Sequence, residues 1–457
     1  MNIIITIAVT ALVVLYAGLF KAKKALLPIS LIGLLISLVF VVTSWNTNQV
    51  YYGMMEMDNF ALAFSGLTIS GTLLILLLTQ NYFSKNSENI AEYLTLILFA
   101  LVGVLMMLSY KNMAMLFVGI EIMSVALYIL AGIRKNNFAS NEASLKYFLM
   151  GAFSTGFLLF GITLIYGATG SFDLDNINGY LVNNYQSISP IFYPGVILIL
   201  VGLCFKVGAA PFHFWIPDVY EGSPSLVTAF MSTVVKVAGF AALLRLFAGT
   251  FAPLHDFWMP PLFALSCLTL VIGNITALFQ KNFKRMLAYS SISHVGYLLF
   301  AVITLSADSN NNALVYATAY TFASISAFAI LILVKQKTGA DNFDSYNGLA
   351  KTNPFVAFAL TVAMLSLAGI PLTAGFIGKY LMFLNVMGDY QIYLVAFAIL
   401  NALVGFYYYF RVIAAMYFKE GSEITLLTPV LYQLVLVLSL IITILLGVYP
   451  SLILNLI

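Results

Sequence analysis

Long apolar runs separated by short polar clusters constrain the fold of this chain more than any other feature. There are about fourteen such runs, each about 20 residues long, which is the length that a helix needs to cross the hydrocarbon of a bilayer. They lack the alternation of apolar and polar residues that marks the strands of a membrane barrel. Because a segment in lipid must satisfy its backbone polar groups internally, the sequence predicts an all-α polytopic membrane protein with about 14 transmembrane helices.

The composition excludes a soluble protein. Charged residues make up 8% of the 457 residues and the mean hydropathy is +1.00, whereas soluble domains carry about 25% charged residues. The two cysteines, Cys204 and Cys267, lie far apart inside apolar runs, so we expect small buried side chains and neither a disulfide nor a metal site. Glycine-rich phosphate loops and cysteine clusters are lacking, so the sequence predicts no bound cofactor.

The basic residues indicate how the chain is oriented in the membrane. If the side reached after the first span is called the inside, 13 of the 20 lysines and arginines fall in inside segments, Lys85 among them. Only Lys111 falls in an outside segment. The excess of basic residues on the inner side follows the positive-inside rule and predicts that both termini lie outside. Because the basic residues report orientation and form no patch, they do not indicate nucleic-acid binding.

Six basic residues fall within the predicted spans: Lys146, Lys206, Lys236, Arg245, Lys379 and Arg411. Arg245 and Arg411 are close enough to span ends to reach the interface with their long side chains. Lys146 begins the sixth span, where the same explanation and a function are both open. To this set we add Glu121, which has apolar or small residues on both sides.

A charged side chain at the centre of a bilayer costs about 2.5–3.5 kcal/mol on insertion scales. We therefore expect Glu121, Lys206, Lys236 and Lys379 to face the protein interior, and we expect Glu121 to pair with Lys206. A lysine removed from water releases its proton more readily, and a nearby carboxylate reverses that effect, so such a row can pass protons without a redox group. A static buried salt bridge is the alternative, although three lysines in separate spans favour a row.

Glycines and prolines interrupt the seventh and twelfth spans: Gly208, Pro211, Gly369, Pro371 and Gly375. Proline removes a helical hydrogen bond and frees a carbonyl. Discontinuous helices at mid-membrane are how ion-coupled transporters build their sites, although a simple kink is also open.

The two breaks predict an internal repeat, since each falls in the fourth helix of a five-helix unit. Five is odd, so the second unit is inverted relative to the first. His294 would lie in the second helix of the second unit, as Glu121 does in the first, and a histidine is a natural proton carrier. The predicted division is a three-helix segment, two inverted five-helix repeats and a final helix, at residues 1–88, 89–250, 251–420 and 421–457.

Four stretches closely resemble the antiporter-like membrane subunits of respiratory complex I, the NADH:quinone oxidoreductase, and in particular its N-type subunit. They are KVGAAPFHFWIPDVYEGSPSLVTAFMS (Lys206–Ser232), LFVGIEIMSVALYIL (Leu116–Leu130), QKNFKRMLAYSSISHVGY (Gln280–Tyr297) and LAGIPLTAGFIGKYLMF (Leu367–Phe383). The string around Pro217-Asp218 is specific, because the L-type and M-type subunits and the Mrp antiporters vary after it.

The resemblance implies a fourteen-helix proton-translocating subunit whose transport is coupled to quinone reduction elsewhere in the complex. The residues that match the family's proton-transfer positions are Glu121, Lys206, Lys236, Lys379, Lys146 and His294. It further implies a bacterial inner membrane location, M-type and K-type membrane subunits as neighbours, and FMN, iron–sulfur clusters and quinone bound by other chains of the complex.

Three other functions stay open on the sequence. An Mrp-type subunit that exchanges Na⁺ for H⁺ would share the fold. A scaffold that joins other membrane subunits would need the helices and not the charges. A small-molecule carrier would need a polar pocket, and apart from the row of charges the sequence indicates none.

Overall fold

The structure is a computed structural model that describes residues 1–83, 90–387, 392–421, 425–454 and 456. Lys85, which contributes to the predicted charge asymmetry, lies outside the described residues. The longer helices are α1 (Asn2–Leu19), α2 (Lys23–Thr43), α3 (Asn59–Leu77), α5 (Ile90–Ser109), α6 (Met113–Ala131), α7 (Phe138–Thr169), α9 (Phe192–Val207), α13 (His255–Leu278), α14 (Phe283–Ile303), α15 (Ser309–Thr338), α17 (Pro354–Ala368), α18 (Ala374–Met387), α19 (Ile392–Phe418) and α20 (Val430–Val448). The shorter ones are α4 (Thr79–Tyr82), α8 (Leu174–Asn183), α10 (Trp215–Gly222), α11 (Ser225–Phe230), α12 (Lys236–Leu243), α16 (Leu349–Thr352) and α21 (Ser451–Leu454).

Two π-helical segments, Met231–Val235 and Leu244–Thr250, flank α12, so that the span Ser225–Thr250 is one continuous helix. Short 3₁₀ turns cover Ala252–Leu254 and Phe343–Tyr346.

Twelve helices in the described ranges are long and apolar enough to cross a membrane. Three shorter apolar helices, α9, α17 and α18, adjoin the glycine and proline interruptions of the seventh and twelfth predicted spans. The chain is therefore a multi-pass α-helical membrane protein, as predicted, and this set of helices is compatible with about fourteen crossings.

The most apolar stretches of α15 and of the Ser225–Thr250 helix are completely buried, and that of α14 is nearly so. In α1, α2 and α20 only 33% of the corresponding stretch is buried. Helix α15, the Ser225–Thr250 helix and α14 therefore form the interior of the bundle. Helices α1, α2 and α20 present apolar faces to lipid. The interior helices carry Lys236 and His294, which places both residues far from the lipid.

A short antiparallel hairpin, β1 (Gln49–Tyr51) and β2 (Met55–Met57), follows α2 and was not predicted from the sequence. Tyr52 and Gly53 at its turn both have positive φ, at 53° and 66°, the geometry of the tight turns that match strand twist. The hairpin is amphipathic over too few residues to show in the sequence pattern.

Lys111 joins the hairpin to the segment that follows α7. Its ammonium lies 3.2 Å from Glu56 of β2 and 3.0 Å from Asp175 in α8, a helix within the predicted outside loop. The hydrogen bond that Lys111 donates to Asp175 raises the pKa of Lys111, partial burial opposes this, and Glu56 adds to the rise. Lys111 thus joins the hairpin to α8.

Helices α5 and α6 approach each other at two glycines. A Cβ added to Gly103 would lie 2.5 Å from the backbone nitrogen of Met123 and 2.6 Å from the carbonyl oxygen of Gly119. A Cβ on Gly119 would in turn lie 3.0 Å from the Gly103 carbonyl oxygen. Backbone packs directly on backbone at this crossing, as small residues permit in membrane helices.

Candidate functional site

Lys206 lies in the last turn of α9, just before the chain leaves helical geometry. Gly208 ends the helix with a φ of +83°, a conformation that favours glycine. The lysine side chain is 4% exposed, and its Nζ donates a hydrogen bond to the Ser124 hydroxyl of α6 at 2.9 Å. The ammonium is therefore held in the interior by a neutral oxygen.

Glu121 lies one turn before Ser124 on α6. Its charge acts on the Lys206 ammonium, but no ion pair joins the two side chains. The predicted direct pairing of Glu121 with Lys206 is thus wrong, and the ammonium donates to the Ser124 hydroxyl instead. The Oε1 of Glu121 is buried and has no hydrogen-bond partner among the described residues.

The break after α9 is bridged by an indole. Trp215, the first residue of α10, donates from Nε1 to the Phe205 carbonyl of α9 at 3.1 Å. Its ring is stacked on Tyr147 with centroids 4.6 Å apart. A Cβ added to Gly208 would lie 1.9 Å from the Cδ1 of Ile216, so a larger residue there would require the Ile216 side chain to move, in addition to the strain of the positive φ.

The far end of α10 is fixed by a lysine that the sequence analysis assigned to an inside loop. Lys284 lies in the first turn of α14, is 1% exposed, and donates to the carbonyl of Glu221 at 3.0 Å and to that of Ser223. These are carbonyls at the end of a helix, which lack partners within it. Lys284 therefore caps α10 and contributes to positioning the break.

Lys146 does not contact Glu121 or Lys206. It forms ion pairs with Glu142 at 2.8 Å and with Asp218 at 2.7 Å, and Asp218 also pairs with Arg285 at 3.1 Å. These side chains are between about a quarter and a half exposed. The resemblance implied a lysine that bridges toward the acid, whereas the structure puts Lys146 in an ionic cluster that joins α7, α10 and α14.

Lys236 follows the first π-helical segment and is 4% exposed. Its Nζ lies 2.7 Å from both the carbonyl oxygen and the hydroxyl oxygen of Ser291 in α14. The face of the Tyr220 ring lies 5.9 Å away. As at Lys206, the buried ammonium is held by neutral oxygens from a neighbouring helix.

His294 lies one turn after Ser291 on the same helix. Its Nδ1 is 2.7 Å from the Tyr316 hydroxyl of α15, and its Nε2 is 3.1 Å from the Tyr409 hydroxyl of α19. Both ring nitrogens are therefore hydrogen-bonded, and each hydroxyl can either donate or accept. A histidine with two such partners can take a proton at one nitrogen and release one at the other.

Lys379 crosses the second break. It belongs to α18, is 6% exposed, and donates to the last carbonyls of α17, those of Leu367 at 3.0 Å and Ala368 at 2.9 Å. Gly369, with a φ of +84°, ends α17, and a Cβ there would meet the Lys379 side chain at 2.8 Å. The lysine therefore caps the half-helix that precedes it in sequence.

Gly375 supplies the other side of this break, since a Cβ there would lie 1.8 Å from the Ser366 carbonyl oxygen. Pro371 is exposed on the stretch between the two half-helices, next to Leu372 with its positive φ of 71°. A cavity of about 10 Å³, enough for about one water molecule, lies between His294 and the break, lined by Ser366, Leu367 and Gly375 among others. The cavity is bordered by His294 and by Leu367, whose carbonyl accepts a hydrogen bond from Lys379.

The two arginines that were interpreted as snorkelling have specific partners instead. Arg245 pairs with Asp58 at 2.6 Å at the outside end of its helix. Arg411 donates to the carbonyls of Leu278, at 3.2 Å, and of Gln280 at the end of α13. Neither touches the buried lysines, so both serve the helix ends.

Two groups of partners were not predicted from the sequence: the hydroxyls of Ser124, Ser291, Tyr316 and Tyr409, and the capping lysine Lys284. A serine one turn from Glu121 and another one turn before His294 were visible in the sequence as same-face neighbours. Nothing local marks the two tyrosines, which come from helices far apart in sequence. In the described part of the chain no cluster of His, Cys, Asp or Glu has the geometry to hold a metal.

Known proteins match this chain over its full length. A family model described as NADH:quinone oxidoreductase/Mrp antiporter, transmembrane, matches residues 110–405. NADH-quinone oxidoreductase subunit N of Cytophaga hutchinsonii is 41% identical and that of Flavobacterium psychrophilum 40%, each alignment covering 100% of this chain and 99% or more of the relative.

Solved structures agree. A chain of respiratory complex I from Thermus thermophilus with bound aureothin superposes with a TM-score of 0.86 at 32% identity, covering 99% of this chain and 98% of that one. A chain of the Mrp complex from Dietzia reaches a TM-score of 0.89, covering 99% and 95%, but at 19% identity it shows the fold alone. The chain therefore belongs to the NADH-quinone oxidoreductase subunit N family, within the wider family of complex I and Mrp antiporter membrane subunits.

Proposed function

We propose that this chain, as the proton-translocating subunit N of an NADH:quinone oxidoreductase, moves protons along its row of buried ionisable residues. The proposal rests on the hydrogen-bond partners of three buried lysines. Lys206, Lys236 and Lys379 each donate to neutral hydroxyl or carbonyl oxygens, and none forms an ion pair with a carboxylate of the described residues.

A buried ammonium without an opposite charge is costly to keep ionised, whereas a neutral amine can remain hydrogen-bonded to the same hydroxyl groups. Such a lysine can therefore exist in either protonation state with little change in packing. The ion-paired Lys146 differs, because two carboxylates stabilise its charge at the inside surface. We assign it to the inside end of the path, where protons would be exchanged with water.

The path has two halves. In the first, Glu121 and Lys206 lie on facing helices. In the second, Lys236 bonds Ser291, His294 follows one turn later on α14, and the small cavity leads to the carbonyls that hold Lys379. The interruptions at Gly208, Pro211, Gly369, Pro371 and Gly375 support both halves by freeing carbonyls at mid-membrane.

We place the electron-transfer chemistry in other chains of the complex, which would bind FMN, the iron–sulfur clusters and the quinone. The partners of this chain are then other membrane subunits, with an M-type antiporter-like subunit on one side and a K-type subunit on the other. The bacterial inner membrane is the location that such a complex requires, with both termini on the outer side. The bias of basic residues toward one side supports this orientation.

We also propose the division into residues 1–88, 89–250, 251–420 and 421–457, with two inverted five-helix repeats in the middle. It is supported by the equivalent positions of the two interruptions, each after a helix that ends in a glycine with positive φ. The first boundary falls among residues 84–89, outside the described part of the chain.

The test is the pair Glu121→Gln and Lys206→Ala in the assembled complex, with Glu92→Gln and Lys351→Ala as controls that make the same changes at exposed positions. NADH-driven proton uptake into membrane vesicles is measured beside NADH oxidation. We expect the buried variants to lose at least about tenfold in uptake, as is typical when a proton-transfer group is removed, and the controls to remain unchanged. Normal uptake by both buried variants in an intact complex would instead favour the scaffold.

Sodium distinguishes the antiporter alternative. We expect NADH-driven acidification of the vesicle lumen to be the same when choline replaces all sodium in the medium. If transport stopped without sodium and returned on adding it, the chain would act as an Na⁺/H⁺ exchanger.

A further inference from the structure

We propose that Ser124 is a catalytic residue of this path, whose hydroxyl relays the proton between Lys206 and Glu121. The inference rests on the proposed function, since it concerns how two residues of that path exchange a proton without touching each other.

The first observation is the position of the hydroxyl. Ser124 is fully buried, and its Oγ accepts the hydrogen bond of the Lys206 Nζ at 2.9 Å, the shortest approach of that ammonium to any polar group of the described residues. The hydrogen-bond partner of the Lys206 ammonium among the described residues is thus a neutral hydroxyl. Any proton that leaves the lysine along its hydrogen bond arrives at this oxygen.

The second observation is the orientation of Glu121 relative to the serine. Residues three apart on a helix face the same side, about 5–6 Å apart at their Cβ atoms. This is within reach of a rotating glutamate side chain. The Glu121 Oε1 is buried without a hydrogen-bond partner in the described structure, so it is an acceptor that nothing else has taken.

The third observation is that the Ser124 hydroxyl is not used by its own helix. Several buried hydroxyls of the chain donate to the carbonyl four residues earlier, as Ser109 does to Leu105 and Thr155 to Gly151, both at 2.8 Å. No such bond to a carbonyl is made by Ser124. Its polar neighbours are the Lys206 ammonium and the Tyr128 hydroxyl one turn further along, which also senses the charge of Glu121.

The transfer step balances without a redox partner. A proton leaves the Lys206 ammonium, breaking an N–H bond and forming an O–H bond at the Ser124 Oγ. The proton that the serine carried before breaks its O–H bond and bonds to a carboxylate oxygen of Glu121. Lys206 becomes a neutral amine, Glu121 a neutral acid, and the serine ends with one proton as it began. The reverse sequence recharges both groups.

The test compares Ser124→Ala with Ser154→Ala, a matched control. Ser154 is also buried, lies against α9 from the neighbouring helix α7, and makes only a weak 3.5 Å contact with the Gly202 carbonyl. In the intact complex we expect Ser124→Ala to lower NADH-driven proton uptake about tenfold, less than a full acid or base contributes, because a water molecule can enter the space that is left. Ser154→Ala should pump at the rate of the unmodified protein.

Two further readouts separate a relay from a structural role. We expect Ser124→Thr, which keeps the hydroxyl, to restore most of the uptake. We also expect the solvent deuterium isotope effect on uptake to rise in Ser124→Ala and not in Ser154→Ala, because proton transfer would then limit the rate. Equal uptake in the two alanine variants, or an unchanged isotope effect in a slowed Ser124→Ala, would overturn the relay.

Proton uptake is also measured in Tyr128→Phe, Glu121→Gln and Lys206→Ala. A loss in Tyr128→Phe with normal pumping in Ser124→Ala would assign the relay to the tyrosine and overturn our assignment. If Glu121→Gln and Lys206→Ala lose pumping while Ser124→Ala does not, the relay is wrong and the proposed path stands. If neither of those two variants loses pumping, the path itself fails.

Discussion

Trp215 binds Phe205 across the gap between two half-helices, its indole Nε1 donating to the Phe205 carbonyl at 3.1 Å. Phe205 directly precedes Lys206, so this bond fixes the backbone that carries the lysine. We expect Trp215→Phe, which keeps an aromatic ring against Tyr147, to lower NADH-driven proton uptake. The carbonyl keeps the Gly208 N–H as a second partner, so the lost bond costs about 1 kcal/mol of stability.

The control for this prediction is Trp258→Phe. Trp258 is also fully buried and donates to a backbone carbonyl, that of Phe251 at 2.8 Å, but it lies at the outside end of the bundle. The two variants should lose similar thermal stability as purified complexes. Equal losses of proton uptake would show that the bond at the break has no special role.

Lys379 combines a cap and a proposed proton site, and two substitutions separate these roles. Lys379→Met leaves the Leu367 and Ala368 carbonyls without their donor, which costs about 1–3 kcal/mol for each buried group. Lys379→Gln keeps N–H donors but cannot change its protonation state. We therefore expect Lys379→Met to lower both the melting temperature and proton uptake, and Lys379→Gln to lower proton uptake alone. Lys351→Gln, at an exposed lysine, is the control. A Lys379→Gln complex that pumps normally would reduce Lys379 to a structural cap.

The tyrosines that bind His294 should matter for transport. Tyr409→Phe removes the partner of Nε2 and Tyr316→Phe that of Nδ1, so each variant leaves the imidazole with one neighbour for proton exchange. We expect each variant to slow proton uptake several-fold. The effect is smaller than that of losing a proton-transfer group outright, because water partly replaces the missing hydroxyl. Tyr408→Phe is the matched control, because Tyr408 is equally buried beside Tyr409 but donates to Asn274 at 3.0 Å. Identical rates for Tyr408→Phe and Tyr409→Phe would contradict a role for the histidine's hydrogen bonds.

Asp218 is the acid that joins Lys146 to Arg285 at the inside end of α10. Asp218→Asn removes a bond to each of them and should loosen the half-helix that Lys284 caps. We expect a loss of about 0.5–1 kcal/mol, because the cluster is partly exposed, together with slower proton uptake. Glu142→Gln removes only the second partner of Lys146, within one helix, and should leave uptake unchanged. The comparison is made on the melting temperature and vesicle uptake of the same preparations.

The membrane fold was predictable because its signals are local. Runs of apolar residues mark spans wherever they pack, and the glycine and proline of the Gly208–Pro211 stretch indicate the interruption after α9. The β1–β2 hairpin was not predicted because strands of three residues are too short to show an alternation of apolar and polar residues. The resemblance to known sequences identified the candidate residues more sharply than their burial could.

The bonding of the candidate residues was not predictable in the same way. A charge count pairs Glu121 with Lys206, but which side chain faces the lysine depends on how α6 and α9 cross. Ser124 is nearer along that crossing, so it takes the bond. Lys284 was counted among the basic residues of the inner side, but its burial against the carbonyls at the end of α10 depends on how α10 and α14 pack, which the sequence does not show.

The contact of Gly103 with Gly119 limits how the Glu121 region can work. With α5 and α6 in backbone contact, a helix that slid or rolled would drive main-chain atoms into one another, since even a methyl group has no room there. On the α6 side, the torsion angles of the Glu121 side chain are then what changes its distance to Lys206. Transport through this half of the molecule would then proceed at the rate at which the Glu121 side chain changes rotamer, while the backbones of α5 and α6 stay in place.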